Sequence, residues 1–198
     1  MTARARGFII SAGGMAWLAG IVVLELMSEG SDDSFPMAFP VLALFAGLSV
    51  GWGLWSVARS LDRATARLGS RLVGASATIL GVGFGLELLP FDTWLAFFLA
   101  YTVGLFLLPV AYIVLGLGVL RSRVLPGWAK WVPLTTAAAG AITYGFHALA
   151  PDLWDPSDAI WYACIGLSWL LLGLASLSIP YGAPIDEATE TPLGVGAS

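Results

Sequence analysis

Six long apolar segments run through the sequence, and they limit the possible folds more than any other feature. A helix needs about 20 mainly apolar residues to cross the hydrocarbon core of a bilayer, which is roughly 30 Å thick. The segments that satisfy this requirement are 8–27, 36–58, 72–89, 93–120, 128–149 and 157–179. Open sheets are not viable in lipid, and these uninterrupted apolar runs do not alternate as barrel strands do. The segments therefore predict six transmembrane helices.

The composition also indicates that the protein lies in a lipid bilayer rather than in water. Of the 198 residues, 58% are hydrophobic and 11% are charged, whereas a soluble domain is roughly 45–50% apolar and about 25% charged. So few charges cannot cover so much apolar surface in water. We predict an all-α, polytopic integral membrane protein with one transmembrane domain over residues 1–180. Residues 181–198 contain acidic residues, prolines and glycines and predict a flexible, acidic cytoplasmic tail.

The charges are divided between the two sides of this topology. The loops on one side hold all nine basic residues, which are Arg4, Arg6, Arg59, Arg63, Arg67, Arg71, Arg121, Arg123 and Lys130. The loops on the other side hold acidic residues, which are Glu29, Asp32, Asp33, Asp92, Asp152, Asp155 and Asp158. The positive-inside rule then places both termini in the cytoplasm of a cell-membrane protein. The net charge of −4 argues against a nucleic-acid partner.

The sequence offers few groups for catalysis or cofactor binding. Cys164 is the one cysteine and His147 the one histidine, which excludes an intrachain disulfide and a haem held by two histidines. Lys130 is the one lysine and lies at a helix boundary, which excludes a retinal Schiff base in the bundle centre. No catalytic or phosphate-binding motif stands in the required context. We expect no cofactor, and an enzyme that uses Glu and His at the lipid interface is a minor alternative.

A short repeat draws attention to three ionisable residues. Residues 85–94 and 145–154 share Gly, Leu, Asp and Trp at an offset of 60, which aligns Glu87 with His147. Glu25 stands in a Leu-Glu-Leu sequence that is repeated around Glu87. The match indicates three helical hairpins derived from one unit, as in many transporters, or a chance agreement between apolar segments.

Each of these residues lies in the last outward turns of an odd-numbered helix. An ionisable group at membrane depth is costly unless it faces a cavity or a partner. If the odd helices are neighbours, Glu25, Glu87 and His147 line one outward-facing pocket. The pocket would have Asp92 and Asp152 at its rim and Trp94 and Trp154 as its walls. It would suit a cation or an amphipathic amine. Two alternatives remain. In one, the carboxylates simply extend to the headgroups. In the other, a divalent metal binds, although no ligand-spaced motif supports one.

Glycines recur at a spacing of seven, which places both members of a pair on one helix face. The pairs are Gly13 and Gly20, Gly74 and Gly81, and Gly166 and Gly173. Small residues let helix backbones approach closely in lipid. These faces therefore pack either the protein's own bundle or a partner subunit.

Four arginines at a spacing of four follow the second segment. Arg59, Arg63, Arg67 and Arg71 predict a basic stripe along a helix. Such a stripe contacts anionic lipid headgroups or forms a docking surface for a partner.

Two functions fit these features. The first is binding or transport of a small cationic or amphipathic solute through the outward-facing pocket. In size and span number alone, the chain is similar to the substrate-binding components of energy-coupling-factor transporters. The second is a non-catalytic accessory subunit that packs against a larger membrane complex, or against further copies of itself, through its glycine faces.

Overall fold

The computed structural model describes residues 2–28, 37–89, 94–122, 125–149 and 156–178. These ranges contain α-helices and two short 3₁₀ turns, and no strand is present within them. The α-helices are α1 (Ala3–Ser28), α2 (Ala38–Ala58), α3 (Ala64–Gly85), α4 (Trp94–Leu120), α5 (Val132–Leu149) and α6 (Pro156–Ser176). The all-α prediction is confirmed for this part of the chain. The predicted tail lies outside it.

Helix α3 differs most from its predicted segment. It begins at Ala64, eight residues before the expected start at position 72, and Arg67 and Arg71 lie within it. A hydropathy pattern misses these first turns because it reports transfer into lipid, whereas backbone hydrogen bonds form the helix irrespective of charge. After Gly85 the chain tightens into the 3₁₀ turn Leu86–Leu88, while α5 stays helical through Leu149. The two proposed repeat units therefore differ in local backbone.

Among the described residues, four helical stretches are long and apolar enough to cross a membrane, and they are Arg4–Leu26, Ala38–Ala58, Ala64–Leu88 and Trp94–Leu120. A shorter apolar helix covers Ile160–Ser176. Large apolar side chains point outward on these helices, with Phe8, Phe45 and Phe106 all more than half exposed. Such an apolar exterior is expected where lipid replaces water as the solvent. The apolar helices indicate a membrane-embedded protein.

The helices form a closed ring in chain order. Each helix packs against its neighbours in the sequence, and α1 packs against α6 to close the ring. Neighbours run antiparallel: Gly13 of α1 lies against Val50 of α2, and Gly20, two turns later, lies against Phe39 near the start of α2.

Trp17 of α1 is the centre of the aromatic core. Its ring lies 6.2 Å from Phe39, 6.0 Å from Phe84, 6.1 Å from Tyr162 and 5.1 Å from Trp169, measured between ring centroids. The indole N–H of Trp17 donates a hydrogen bond to the Tyr162 carbonyl oxygen at 2.9 Å, which satisfies its buried polar group. One side chain thus joins α1 to α2, α3 and α6.

A second polar contact crosses the ring. The buried hydroxyl groups of Tyr112 in α4 and Ser168 in α6 are hydrogen-bonded. Ser168 also donates a hydrogen bond to the Ile165 carbonyl oxygen at 2.8 Å. Helices α4 and α6, which flank α5 in the ring, are therefore also joined directly.

Candidate functional site

The antiparallel ring separates the described charges into two ends. The starts of α1, α3 and α5 and the ends of α2 and α4 form the basic end. Its described basic residues are Arg4, Arg6, Arg59, Arg63, Arg67, Arg71, Arg121 and Lys130. Glu25 and Glu87, near the ends of α1 and α3, define the acidic end. At 1.5 Å per helical residue, Arg4 and Glu25 are about 31 Å apart along α1, close to the hydrocarbon thickness of a bilayer.

Glu25 is exposed and lies on the side of α1 that faces α6. Gly14 of α1 approaches the backbone of Leu170 in α6. Glu25 follows Gly14 by eleven residues, which is about three helical turns, so it returns to the same side of the helix. The carboxylate is accordingly located at the acidic end of the seam between α1 and α6.

Glu87 is partly buried in the 3₁₀ turn after α3, and this turn contacts α2 and α4. The predicted pocket assumed that α1, α3 and α5 are neighbours. In the ring they alternate with the even-numbered helices, so α2 separates α1 from α3. Helices α1 and α3 instead meet in the interior, through Trp17 and Phe84.

The other predicted pocket residues are described only in part. Trp94 is the first residue of α4, is 64% exposed, and stacks on Phe98 one turn later with an interplanar angle of 14°. His147 lies in α5, where the structure describes its backbone only. Three of the predicted residues lie outside the described residues, and they are Asp92, Asp152 and Trp154.

Aromatic rings fill the interior beneath the acidic end. Phe39 at the start of α2 and Phe84 near the end of α3 meet edge to face, with centroids 4.9 Å apart. Phe97 of α4 adds a third ring, 5.7 Å from Phe84. Aromatic pairs prefer such tilted geometry because the ring edge is positive and the ring face negative. The described part of the acidic end thus combines two carboxylates with a cluster of three aromatic rings beneath them, which we call the aromatic cluster.

All six predicted packing glycines face helices of the same chain. Gly13 and Gly20 of α1 face α2, and Gly74 and Gly81 of α3 also face α2. Gly166 and Gly173 face α1. A Cβ atom at position 81 would lie 2.8 Å from the Ala43 carbonyl oxygen and 2.8 Å from the Gly47 Cα atom. Glycine is required there because only a hydrogen atom fits between the two backbones.

The four arginines do not form one helical stripe. Arg59 follows the last residue of α2 and Arg63 precedes the first residue of α3, so the chain turns between them. The prediction of a continuous stripe was therefore wrong, since spacing alone cannot reveal a turn. Arg67 and Arg71 do share a face of α3, and the Arg71 guanidinium carbon lies 5.5 Å from the centre of the Trp55 ring.

Sequence reasoning missed two polar contacts at the basic end. Arg6 is 2% exposed, the one buried charged side chain among the described residues. It donates hydrogen bonds to the Ser56 carbonyl oxygen at 3.3 Å and the Ser60 hydroxyl at 2.5 Å, at the end of α2. A cation is favourable at a helix C-terminus. The only signal was the serine pair four residues apart, which did not indicate its partner in α1.

The second contact joins the turn before α3 to the end of α4. Ser122 donates a hydrogen bond to an Asp62 carboxylate oxygen at 2.7 Å, and Arg63 lies 3.9 Å from the other oxygen. The two residues are sixty positions apart, and neither stands in a recognisable motif. Asp62 therefore lies among the arginines, as the one carboxylate that the structure describes at the basic end.

No group of three histidine, cysteine, aspartate or glutamate side chains is placed to hold a metal ion within the described ranges. No protein-family model, curated protein or solved structure matches the chain.

Proposed function

We propose that the protein binds or transports a small cationic or amphipathic solute at its acidic end. The observation that carries this proposal is the separation of charge along the bundle. Glu25 and Glu87 lie at one end, and every described lysine and arginine lies at the other. A cation that approaches the acidic end is attracted by the carboxylates without competition from nearby basic groups.

The aromatic cluster beneath the carboxylates supports the same class of solute. The rings of Phe39, Phe84 and Phe97 lie at the ends of their helices that adjoin the acidic end. Phe39 and Phe84 are buried, so Phe97 is the ring of the three that a solute could reach, and an aromatic ring face attracts cations. A solute with a positive group and an apolar body would satisfy both features. The proposal also assigns His147, Asp92, Asp152, Trp94 and Trp154 to the solute site at the acidic end.

The proposed topology has six spans in the cell membrane, with the basic end and both termini in the cytoplasm. The support is the positive-inside rule, together with a basic end and an acidic end separated by about the thickness of a bilayer core. Three repeated hairpins belong to the same proposal, because each would contribute one ionisable residue to the acidic end.

The alternative function is an accessory subunit of a larger membrane complex. It was suggested by the glycine faces, and those faces contact helices of the same chain. A partner would therefore have to use other surfaces of the bundle.

The experiment that separates these functions is native mass spectrometry of the protein extracted from its own membranes in a mild detergent. We expect the 20.8 kDa chain with a small bound mass that Glu25→Gln or Glu87→Gln removes. Asp62→Asn is the matched control, because it neutralises a carboxylate at the basic end and should retain the bound mass. A particle heavier by a foreign protein chain would favour the accessory subunit, and unchanged binding in both glutamine variants would refute the pocket.

A further inference from the structure

A groove runs along the outside of the bundle between α2 and α3. It has a volume of about 450 Å³ and is lined by Gly51, Trp52, Trp55, Gly74, Ala75, Thr78 and Ile79. The two glycines lie close together, since a Cβ atom at position 74 would be 3.0 Å from the Gly51 carbonyl oxygen. The Thr78 hydroxyl donates to the Gly74 carbonyl oxygen at 3.0 Å, so it needs no partner from the groove. The groove is therefore apolar.

The positively charged side chain of Arg71 lies at one end of this groove. Arg71, Gly74 and Thr78 are three and four residues apart and share one face of α3. The guanidinium group of Arg71 lies over the Trp55 ring, which forms a wall of the groove. Arg67 is one helical turn nearer the basic end on the same face. The cation–π contact with Trp55 thus holds Arg71 one helical turn from Gly74, on the side of the groove nearer the basic end.

We infer that the groove binds one acyl chain of an anionic phospholipid, with the headgroup phosphate at Arg71. An arginine guanidinium can donate two parallel hydrogen bonds to a phosphate group. Trp52 and Trp55, which are 68% and 48% exposed, have the amphipathic rings that concentrate at the level of lipid headgroups. The charge at the mouth and the apolar slot below it match the two parts of such a lipid.

A second copy of the chain fits this surface less well. Two copies inserted in the same direction would place their basic ends side by side, and Arg67 and Arg71 of each would face like charges. Like charges at a contact oppose association. An anionic headgroup instead neutralises the arginines, which is the charge complementarity that selects the lipid.

The test is native mass spectrometry of the full chain in detergent, titrated with dioleoyl phosphatidylglycerol and with dioleoyl phosphatidylcholine. The two lipids share acyl chains and differ in headgroup charge. We expect one phosphatidylglycerol to bind in preference to phosphatidylcholine. One arginine near anionic lipid contributes about 1 kcal/mol, or about fivefold in affinity. Arg71→Gln should therefore weaken phosphatidylglycerol binding about fivefold. It should weaken phosphatidylcholine binding less, because the choline cation of that lipid offsets the attraction between its phosphate and the arginine. Ala75→Leu should weaken both by filling the groove.

Two control variants make the test specific. Arg121→Gln removes an exposed charge at the same end of the bundle, on α4, and Ala138→Leu enlarges an exposed alanine on α5. Both should bind phosphatidylglycerol like the unmodified chain. Equal binding of the two lipids would overturn the proposal, because it would show that the headgroup charge is not recognised. An equal loss in Arg121→Gln would overturn it in favour of general charge attraction at the basic end. Conversion of a dimer to a monomer by Ala75→Leu would show that a second copy occupies the groove. Arg71 is exposed, so its variant stays informative even if Ala75→Leu does not fold.

Discussion

Replacement of Gly81 by alanine tests the close approach of α2 and α3. The new Cβ atom would lie 2.8 Å from both the Ala43 carbonyl oxygen and the Gly47 Cα atom. Both distances are 0.6 Å shorter than the 3.4 Å at which ordinary contacts begin. The two neighbouring atoms belong to the backbone, so no side-chain rotation relieves the overlap and the helices must separate.

The expected cost follows from two opposing effects. Overpacking in a well-packed interior costs about 1–3 kcal/mol, and contact with backbone on both sides places Gly81→Ala in the upper part of that range. Alanine returns up to about 1 kcal/mol because it favours the helix more than glycine does. The net loss in the free energy of unfolding is therefore about 1–2 kcal/mol, which lowers Tm by about 2–8 °C for a chain of this size.

Thermal unfolding in detergent micelles, followed by circular dichroism, measures this loss. Gly127→Ala is the matched control, since no heavy atom lies within 4 Å of the added Cβ atom. It should change stability by less than about 0.5 kcal/mol. Gly20→Ala should fall between the two, because its nearest contact is the movable ring of Phe39 at 3.2 Å. If Gly81→Ala were as stable as Gly127→Ala, the reasoning about helix contact would be refuted.

Two further substitutions test the buried polar contacts. Arg6→Ala should lower stability by about 1.5–3 kcal/mol, the usual value for hydrogen bonds to a charged group, whereas the exposed Arg4→Ala should stay within about 0.5 kcal/mol; equal melting temperatures would contradict the burial of Arg6. Tyr112→Phe should cost about 1 kcal/mol, and a double-mutant cycle with Ser168→Ala should show coupling between the hydroxyl groups. Additive losses in that cycle would argue against the hydrogen bond.

The helices were predictable because the signal for them is local. Each of the six α-helices overlaps one of the six apolar segments, since transfer into lipid depends on a segment's own side chains. The start of α3 was not predicted, because Arg67 and Arg71 make its first turns polar. The separation of charge also followed from the sequence, since antiparallel helices joined in order place alternate loops at opposite ends.

The candidate site was less predictable. The shared end of Glu25 and Glu87 follows from helix order alone. Their separation by α2 does not, because the order of helices around a ring is set by packing between segments. The burial of Arg6 depends on Ser56 and Ser60, about fifty residues away in the chain. Local patterns carry no information about such distant partners.

The glycine pairs separate the two sources of information most sharply. Their spacing of seven predicted helix contacts, because small residues on one face allow backbones to approach. The same spacing would serve a partner subunit equally well. Only the folded chain shows that Gly81 packs against α2 and that Gly166 packs against α1. Only the folded chain shows the open groove between Trp55 and Thr78. Apolar content and charge along the chain thus determine the helices and their two ends, whereas the close packing of backbones against one another decides which helices meet and which surfaces stay free.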